Sequence, residues 1–286
     1  MLAIVGGTGL YKLPGLQTHG LLTDTTPFGN PSGPIHKGDL GGTPILFLAR
    51  HGEGHRLLPS EINYRANIFA LKRAGARAIL AVSAVGSLSE SIAPGDLVAI
   101  DQYLDFTKGI RSPTFFGDGI VAHVLGARPV SELLLNCLRK AAEKTVFANR
   151  KIHIGGTYSC IEGPRLGTRA ESLMFRALGA QVVGMTHVPE CFLALEAQMA
   201  YASLGVVTDF DSWQEDPSLH VEVSKVFSLY SQSLDSVLEL SAAFIEQFSK
   251  VSLAKCPSRT ALKDSFLTPE SSWPTSSAEW INVLRE

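Results

Sequence analysis

Short apolar runs rich in β-branched residues recur along this chain, separated by segments whose apolar residues return at helical spacing. This alternation limits the possible folds more than any other feature. Residues 2–5, 45–48, 78–82, 97–100, 182–185 and 202–207 read as buried strands. Residues 60–74, 131–142, 168–178 and 189–199 read as helices, the third opened by Thr168 and Glu171 at capping-box spacing. Strand and helix in alternation give an α/β fold. From 222 to about 250, Val223, Val226, Phe227, Leu229, Tyr230, Leu234, Val237, Leu238 and Leu240 keep approximate helical spacing. They predict a long amphipathic helix that closes the domain. Beyond Cys256 the chain turns to Ser, Thr and Pro, with Pro257, Pro269 and Pro274, and ends on a short apolar sequence at 280–284. The expected organisation is a domain over 1–250 and a C-terminal extension over 251–286, partly disordered or packed on the surface.

Composition removes several functional classes. With 45% hydrophobic and 18% charged residues the 286-residue chain is globular rather than disordered. Its net charge of -2, from 25 basic and 27 acidic residues, supplies no positive field to draw it onto nucleic acid or anionic lipid. No apolar run reaches the roughly 18 residues of a membrane span. The four cysteines, Cys137, Cys160, Cys191 and Cys256, form no C-x-x-C pair, and the opening sequence lacks a basic leader with a long apolar core. Reduced thiols and a cytoplasmic location are expected.

Five small motifs stand where strands end. In Gly6-Gly7-Thr8-Gly9, glycines let backbone N–H groups turn toward an anion and Thr8 adds a hydroxyl, which suits phosphate. The same glycines equally make a plain connection. Arg50-His51-Gly52 follows a buried strand, where open α/β sheets place their ligands; the bland alternative is a surface ion pair. His51 and His55 have metal-ligand spacing, but Gly52 and Gly54 between them argue against a helix and no third ligand is evident. Ser83-Ala84-Val85-Gly86-Ser87 reads as a small-residue turn able to offer a hydroxyl and an N–H to the same anion. Gly184-Met185-Thr186 leads into Pro189-Glu190, with Thr186 either capping a helix or meeting a ligand. Asp209 and Asp211 end an apolar strand and, two residues apart, would face one side. Such a pair suits a ring N–H and an exocyclic amine, and crowding would raise at least one pKa; a metal site or a capped turn are the alternatives.

Taken in order, these motifs resemble a family. Gly6-Gly7-Thr8-Gly9-Leu10, Thr26-Pro27-Phe28-Gly29, Ala49-Arg50-His51-Gly52, Pro59-Ser60-Glu61-Ile62-Asn63-Tyr64-Arg65-Ala66-Asn67, Pro94-Gly95-Asp96, Glu162-Gly163-Pro164-Arg165 and Asp209-Phe210-Asp211-Ser212-Trp213 are similar to those of the 5'-methylthioadenosine phosphorylases. These are a branch of the purine nucleoside phosphorylase family. The similarity runs from about 2 to 248 and leaves the tail outside it. It implies a single domain with a mixed central β-sheet flanked by helices, a homotrimer, and phosphorolysis in purine and methionine salvage without metal or organic cofactor. It assigns Thr8, Arg50, His51, Ser83, Ala84 and Thr186 to phosphate, with Ser83 where Thr is usual. Met185 falls beside the ribose, and Asp209 and Asp211 at a 6-aminopurine. Val223, Val226 and Phe227 fall at the 5'-substituent, and His123 is supplied to a neighbouring subunit.

The chain departs from the family pattern at Leu166-Gly167, where Phe-Ser is usual beside the base, at Gly184, where Asn is usual, and over 125–129. The expected reaction is attack of phosphate on C1' while Asp209 donates a proton to purine N7 and Asp211 holds the 6-amino group. Three rivals stand beside it: a phosphorylase for 6-oxopurine nucleosides such as 5'-methylthioinosine, a catalytically silent nucleoside-binding protein, and a hydrolytic nucleosidase.

Overall fold

The computed structural model of the chain describes residues 1–7, 13–145, 150–215 and 223–286, with 223–227 described by their backbone alone. Four parallel strands form its centre: β1 (Leu2–Gly6), β4 (Thr43–Ala49), β5 (Ala78–Ser87) and β11 (Ala200–Asp209). Their near-continuous apolar sequences fit burial on both faces, and every residue of β1 is buried. β2 (Gln17–Leu22) and β3 (Ile35–Leu40) extend this sheet antiparallel on the β4 side. β10 (Val182–Gly184), β9 (Thr157–Ile161) and β7 (Gln102–Phe106) continue it on the β5 side, while β6 (Leu97–Ile100) and β8 (Ile152–Ile154) branch off β11. The sheet is therefore mixed, as expected.

Helices cover both faces. α1 (Tyr64–Arg73) starts at Asn63, whose side chain accepts the Ala66 N–H, and it packs on α4 (His187–Glu196). α3 (Arg169–Ala177) opens with the complete Thr168–Glu171 capping box. α2 (Glu132–Lys144) lies against α5 (Val223–Phe248), which also packs on β11. α4 carries a non-helical residue, Val188, directly before Pro189, where a proline bars its predecessor from helical geometry. None of the described helices is long and apolar enough to cross a membrane, and all four cysteines are unpaired and buried.

The stretch 251–286 forms short 3-10 turns and α6 (Ala278–Arg285). Leu262, Ile281 and Leu284 from it join the main core, and Trp280 meets Phe28 edge-on at 5.4 Å.

The register of the central strands creates an opening. β1 pairs with β5 only as far as Ala81, and β10 joins the same edge, antiparallel, at Gly86. Residues 82–85 thus lack a strand partner on that edge, while β11 pairs along the other. A crevice where strand order changes, at the carboxyl end of parallel strands, is where open α/β sheets hold ligands.

Candidate active site

Arg50 follows β4 and is anchored to the end of β1 by its backbone N–H to Gly6 O at 3.0 Å. Its side chain is no surface ion pair: Arg50 and Glu190 are each 1% exposed. Nε donates to Glu190 Oε2 at 2.7 Å, Nη2 to Oε1 at 2.8 Å and to Val5 O at 3.3 Å, and Nη1 to Val82 O at 2.9 Å. These use four of the five N–H bonds of a guanidinium. Glu190 Oε1 also accepts from Tyr201 Oη at 2.9 Å. Burial alone would release the Arg50 proton more readily, but the Glu190 charge and hydrogen bonds hold it above its ordinary value.

His51 donates from Nδ1 to Leu57 O at 2.8 Å, and its ring stacks on His55 at 4.3 Å between centroids, planes 17° apart. Stacked rings do not converge their nitrogens on one ion, so the geometry gives no support to the metal spacing. Burial pushes the His51 pKa down to about 4, with Arg50 adding to the effect, so the ring is neutral near pH 7.

Residues 83–87 are not a turn: β5 runs through to Ser87. Ser83 is half-buried and Ala84 exposed within the unpaired stretch. Gly86 is required for another reason, since a Cβ there would come within 2.9 Å of Asp209 Oδ1 and 3.1 Å of Asp211 Cβ. Thr186 occupies the N-cap position of α4, yet its side chain makes no capping bond. Its buried Oγ1 has no partner, an arrangement that favours a ligand over a helix cap.

Asp209 ends β11, but Asp211 lies in the 3-10 turn Asp211–Trp213 with φ of 38°. The pair is therefore not aligned by strand alternation. Asp209 Oδ1 accepts the Asp211 N–H at 2.8 Å, and Thr208 Oγ1 donates to Oδ2 at 2.8 Å. The buried Ser172 hydroxyl donates to Asp211 Oδ2. Trp213 Nε1 pins the turn by donating to Ser87 O at 2.8 Å. Burial pushes the Asp209 pKa up to about 6, and the Asp211 charge is only a minor contributor. Burial likewise raises that of Asp211. Desolvation rather than crowding is the main cause in both.

Met185 lies against Gly163, where a Cβ would come within 2.5 Å of its Sδ. Its carbonyl accepts from Arg111 Nη1 at 2.6 Å, and Arg111 is itself held by Glu162 through Nε at 2.7 Å. Leu166 is 42% exposed beside this segment. At Gly167 a Cβ would stand 3.8 Å from Asp211 Oδ2, so the missing side chain leaves room beside that carboxylate. At Gly184 a Cβ would meet Tyr158 Oη at 2.4 Å, so Tyr158 fills the space that a side chain would need. His123 is exposed, on a loop whose backbone pairs with the tail through Ala122 and Phe266 and through His123 N to Ser265 O at 2.9 Å. Thr8 and the side chains of Val223, Val226 and Phe227 lie outside the described residues.

Sequence reading did not assign Arg111, Ser172, His187 or Tyr230 to this region. Tyr230 Oη stands 3.3 Å from where a Cβ of Gly7 would be. In the sequence it is one more apolar position of a helix, and Arg111 has no local signal at all.

Comparison with known proteins agrees with this geometry. The family model described as the phosphorylase superfamily matches residues 1–243. S-methyl-5'-thioadenosine phosphorylase from Geobacter sulfurreducens is 39% identical over 284 residues, 99% of this chain and 97% of that protein. The similarity thus extends through the tail, which sequence reading had left outside it. Among solved structures, a methylthioadenosine phosphorylase from an Antarctic soil metagenomic library superposes with a TM-score of 0.93 at 41% identity, covering 99% and 98% of the two chains. A variant of adenosine/methylthioadenosine phosphorylase from Schistosoma mansoni, in complex with methylthioadenosine, gives 0.86 at 36% identity, covering 93% and 98%. Likeness of this extent means that the chain belongs to the phosphorylase superfamily, as a member of its S-methyl-5'-thioadenosine phosphorylase family.

Proposed function

We propose that the protein uses inorganic phosphate to cleave the N-glycosidic bond of 5'-methylthioadenosine, releasing adenine and 5-methylthioribose 1-phosphate for purine and methionine salvage. The observation that carries this reading is the Asp209 carboxyl, half-buried at the sheet's carboxyl edge, where desolvation pushes its pKa up to about 6. A carboxyl of this kind donates to purine N7 as the bond to C1' stretches, so the base leaves neutral. Asp211, an acceptor fixed by Ser172, suits the 6-amino group. A 6-oxo group would present an acceptor to an acceptor, which disfavours the inosine-type rival.

Phosphate has a matching set of donors. Arg50 keeps one N–H beyond its four bonds and binds the Val82 carbonyl, Ser83 lies next to Val82 in the unpaired stretch of β5, and the Thr186 hydroxyl has no partner, with Thr8 expected to join them. Neutral His51, its Nδ1–H committed to Leu57, has a lone pair on Nε2 for the hydroxyl of a phosphate monoanion. Held against C1', the anion would stabilise the oxocarbenium charge that develops there. Met185 and Leu166 would line the nucleoside, with Val223, Val226 and Phe227 at its 5'-substituent.

This reading expects a homotrimer in which His123 reaches a neighbouring copy. Leu125, beside it, is 90% exposed, and Val121 and Leu267 expose 46% and 68% on the same paired segments. Four unpaired, buried thiols support the cytoplasm as its location.

The test is adenine release from 5'-methylthioadenosine by protein freed of phosphate. Release only on adding phosphate is expected; release without it would make the enzyme a hydrolase, and none at all would turn the assay to 5'-methylthioinosine, with no release from that either making it a binding protein.

A further inference from the structure

His187 is the first residue of α4, a position that usually meets solvent, yet it is fully buried. Its ring stacks on Tyr158 at 4.7 Å between centroids and meets Tyr103 and Tyr201 edge-on at 6.2 and 6.5 Å. One ring nitrogen, Nε2, is 3.0 Å from Ser83 Oγ, and the other, Nδ1, is buried without a partner. Burial, with Arg50 nearby, holds the ring neutral. A neutral imidazole carries its proton on one nitrogen only. On Nδ1 it would be a buried donor with no acceptor, an arrangement that is rare and costly. On Nε2 it leaves only a ring lone pair unmatched. The Nε2–H tautomer follows, and with it the direction of the bond: His187 donates and Ser83 Oγ accepts.

The consequence lies on Ser83. Its oxygen is satisfied by His187, and the hydroxyl proton is left to donate elsewhere. Ser83 sits in the stretch of β5 that has no strand partner on the β1 side, next to Val82, whose carbonyl binds Arg50. Serine lacks the second Cβ substituent that stiffens χ1 in threonine, so an external anchor is needed to keep its hydroxyl in one rotamer. We propose that His187 is a positioning residue for the anion subsite: its Nε2–H fixes Ser83 so that the serine donates its proton to phosphate. The inference rests on the phosphorolytic reading of the site.

The test combines His187→Phe, which keeps the aromatic stack and removes the N–H, with Ser83→Ala, Ser83→Thr and the double variants. Affinity for inorganic phosphate is read by calorimetric titration, alongside KM values and melting temperatures. His187→Phe should weaken phosphate binding about tenfold, the scale of one hydrogen bond to a charged group. KM for the nucleoside and the melting temperature should change little. Ser83→Ala should show the same loss, and His187→Phe with Ser83→Ala should be no worse than Ser83→Ala alone. His187→Phe with Ser83→Thr should recover most of the affinity, because the γ-methyl fixes the rotamer that the histidine no longer holds.

Unchanged phosphate binding in His187→Phe overturns the proposal, as do losses that multiply in the alanine double variant. A parallel rise in KM for the nucleoside with a lowered melting temperature also overturns it, because that marks a purely structural role. Wild-type protein that binds phosphate but releases no adenine would sink the reaction and leave the His187 result readable from the titrations.

Discussion

Asp209 and Asp211 are joined through the backbone, the side chain of the first accepting the N–H of the second at 2.8 Å. The turn that brings them together ties the proposed proton donor to the group proposed to read the base. Asp209 keeps its proton to about pH 6, whereas a solvated aspartate releases it near about 3.9. Asp209→Asn should lower kcat/KM for 5'-methylthioadenosine by about 10²- to 10⁴-fold, the usual size of a general-acid contribution. At saturating phosphate the wild-type kcat/KM should fall as pH rises through about 6, and the variant should lack that limb. Between those two pKa values the folded state binds a proton that the unfolded chain has lost, so this group's stabilisation wanes as pH rises.

Ser172 donates to Asp211 Oδ2 from a fully buried position. Its hydroxyl favours the ionised carboxylate against the burial that raises its pKa. Ser172→Ala should therefore raise KM for the nucleoside about tenfold, the scale of one charged hydrogen bond, and leave phosphate affinity unchanged. Parallel titrations with each substrate check this.

Arg50 and Glu190 form a bidentate pair sealed from water. Glu190→Ala leaves a buried cation alone and should destabilise the fold by about 3–5 kcal/mol. The double variant Arg50→Met, Glu190→Met should recover most of that stability in denaturant titrations while showing no phosphate-dependent turnover. That outcome would separate the structural role of Arg50 from its proposed role in binding phosphate.

Leu284 is 0% exposed in the core although it lies in a segment rich in proline and serine. Leu284→Ala should cost about 2–5 kcal/mol. Removing 257–286 should be worse, because it also strips the backbone partners of Ala122 and His123. Thermal unfolding and sedimentation of the two variants measure this. An unaltered truncation would make the tail dispensable.

Lys72, 1% exposed, has a buried Nζ with no hydrogen-bond partner. Burial, followed by the charges of Arg77 and Arg259, pushes its pKa down to about 7. The unfolded chain keeps that proton to about pH 10.4, so stability should rise with pH across this window and the penalty is full below it. Lys72→Met should raise Tm by a few degrees, roughly the effect of 1 kcal/mol, and more at pH 6 than at pH 9. Calorimetry at both values checks the sign.

The long apolar runs were legible because burial on both faces leaves an unmistakable pattern: β6 matches its run residue for residue, while β1, β4 and β11 contain theirs and extend beyond them. β2, with Gln17, Thr18, His19 and Gly20 exposed, and the short strands β7, β8 and β9 have no such pattern, because pairing with neighbours rather than local preference makes them strands. Pro and Ser in the tail suggested an appendage; Ile281 and Leu284 become core residues once α1 offers them a face.

The α/β class, the central strands and the residue types collected at their ends can be read along the chain, since hydrophobic period and glycine placement are local properties. Folding in three dimensions pairs Arg50 with Glu190, brings Asp211 to Asp209 through a 3-10 turn, and sets His187 against Ser83. These relationships join residues separated along the chain or aligned by an irregular turn. Their pKa values and hydrogen bonds depend on burial, which no local pattern of residues contains.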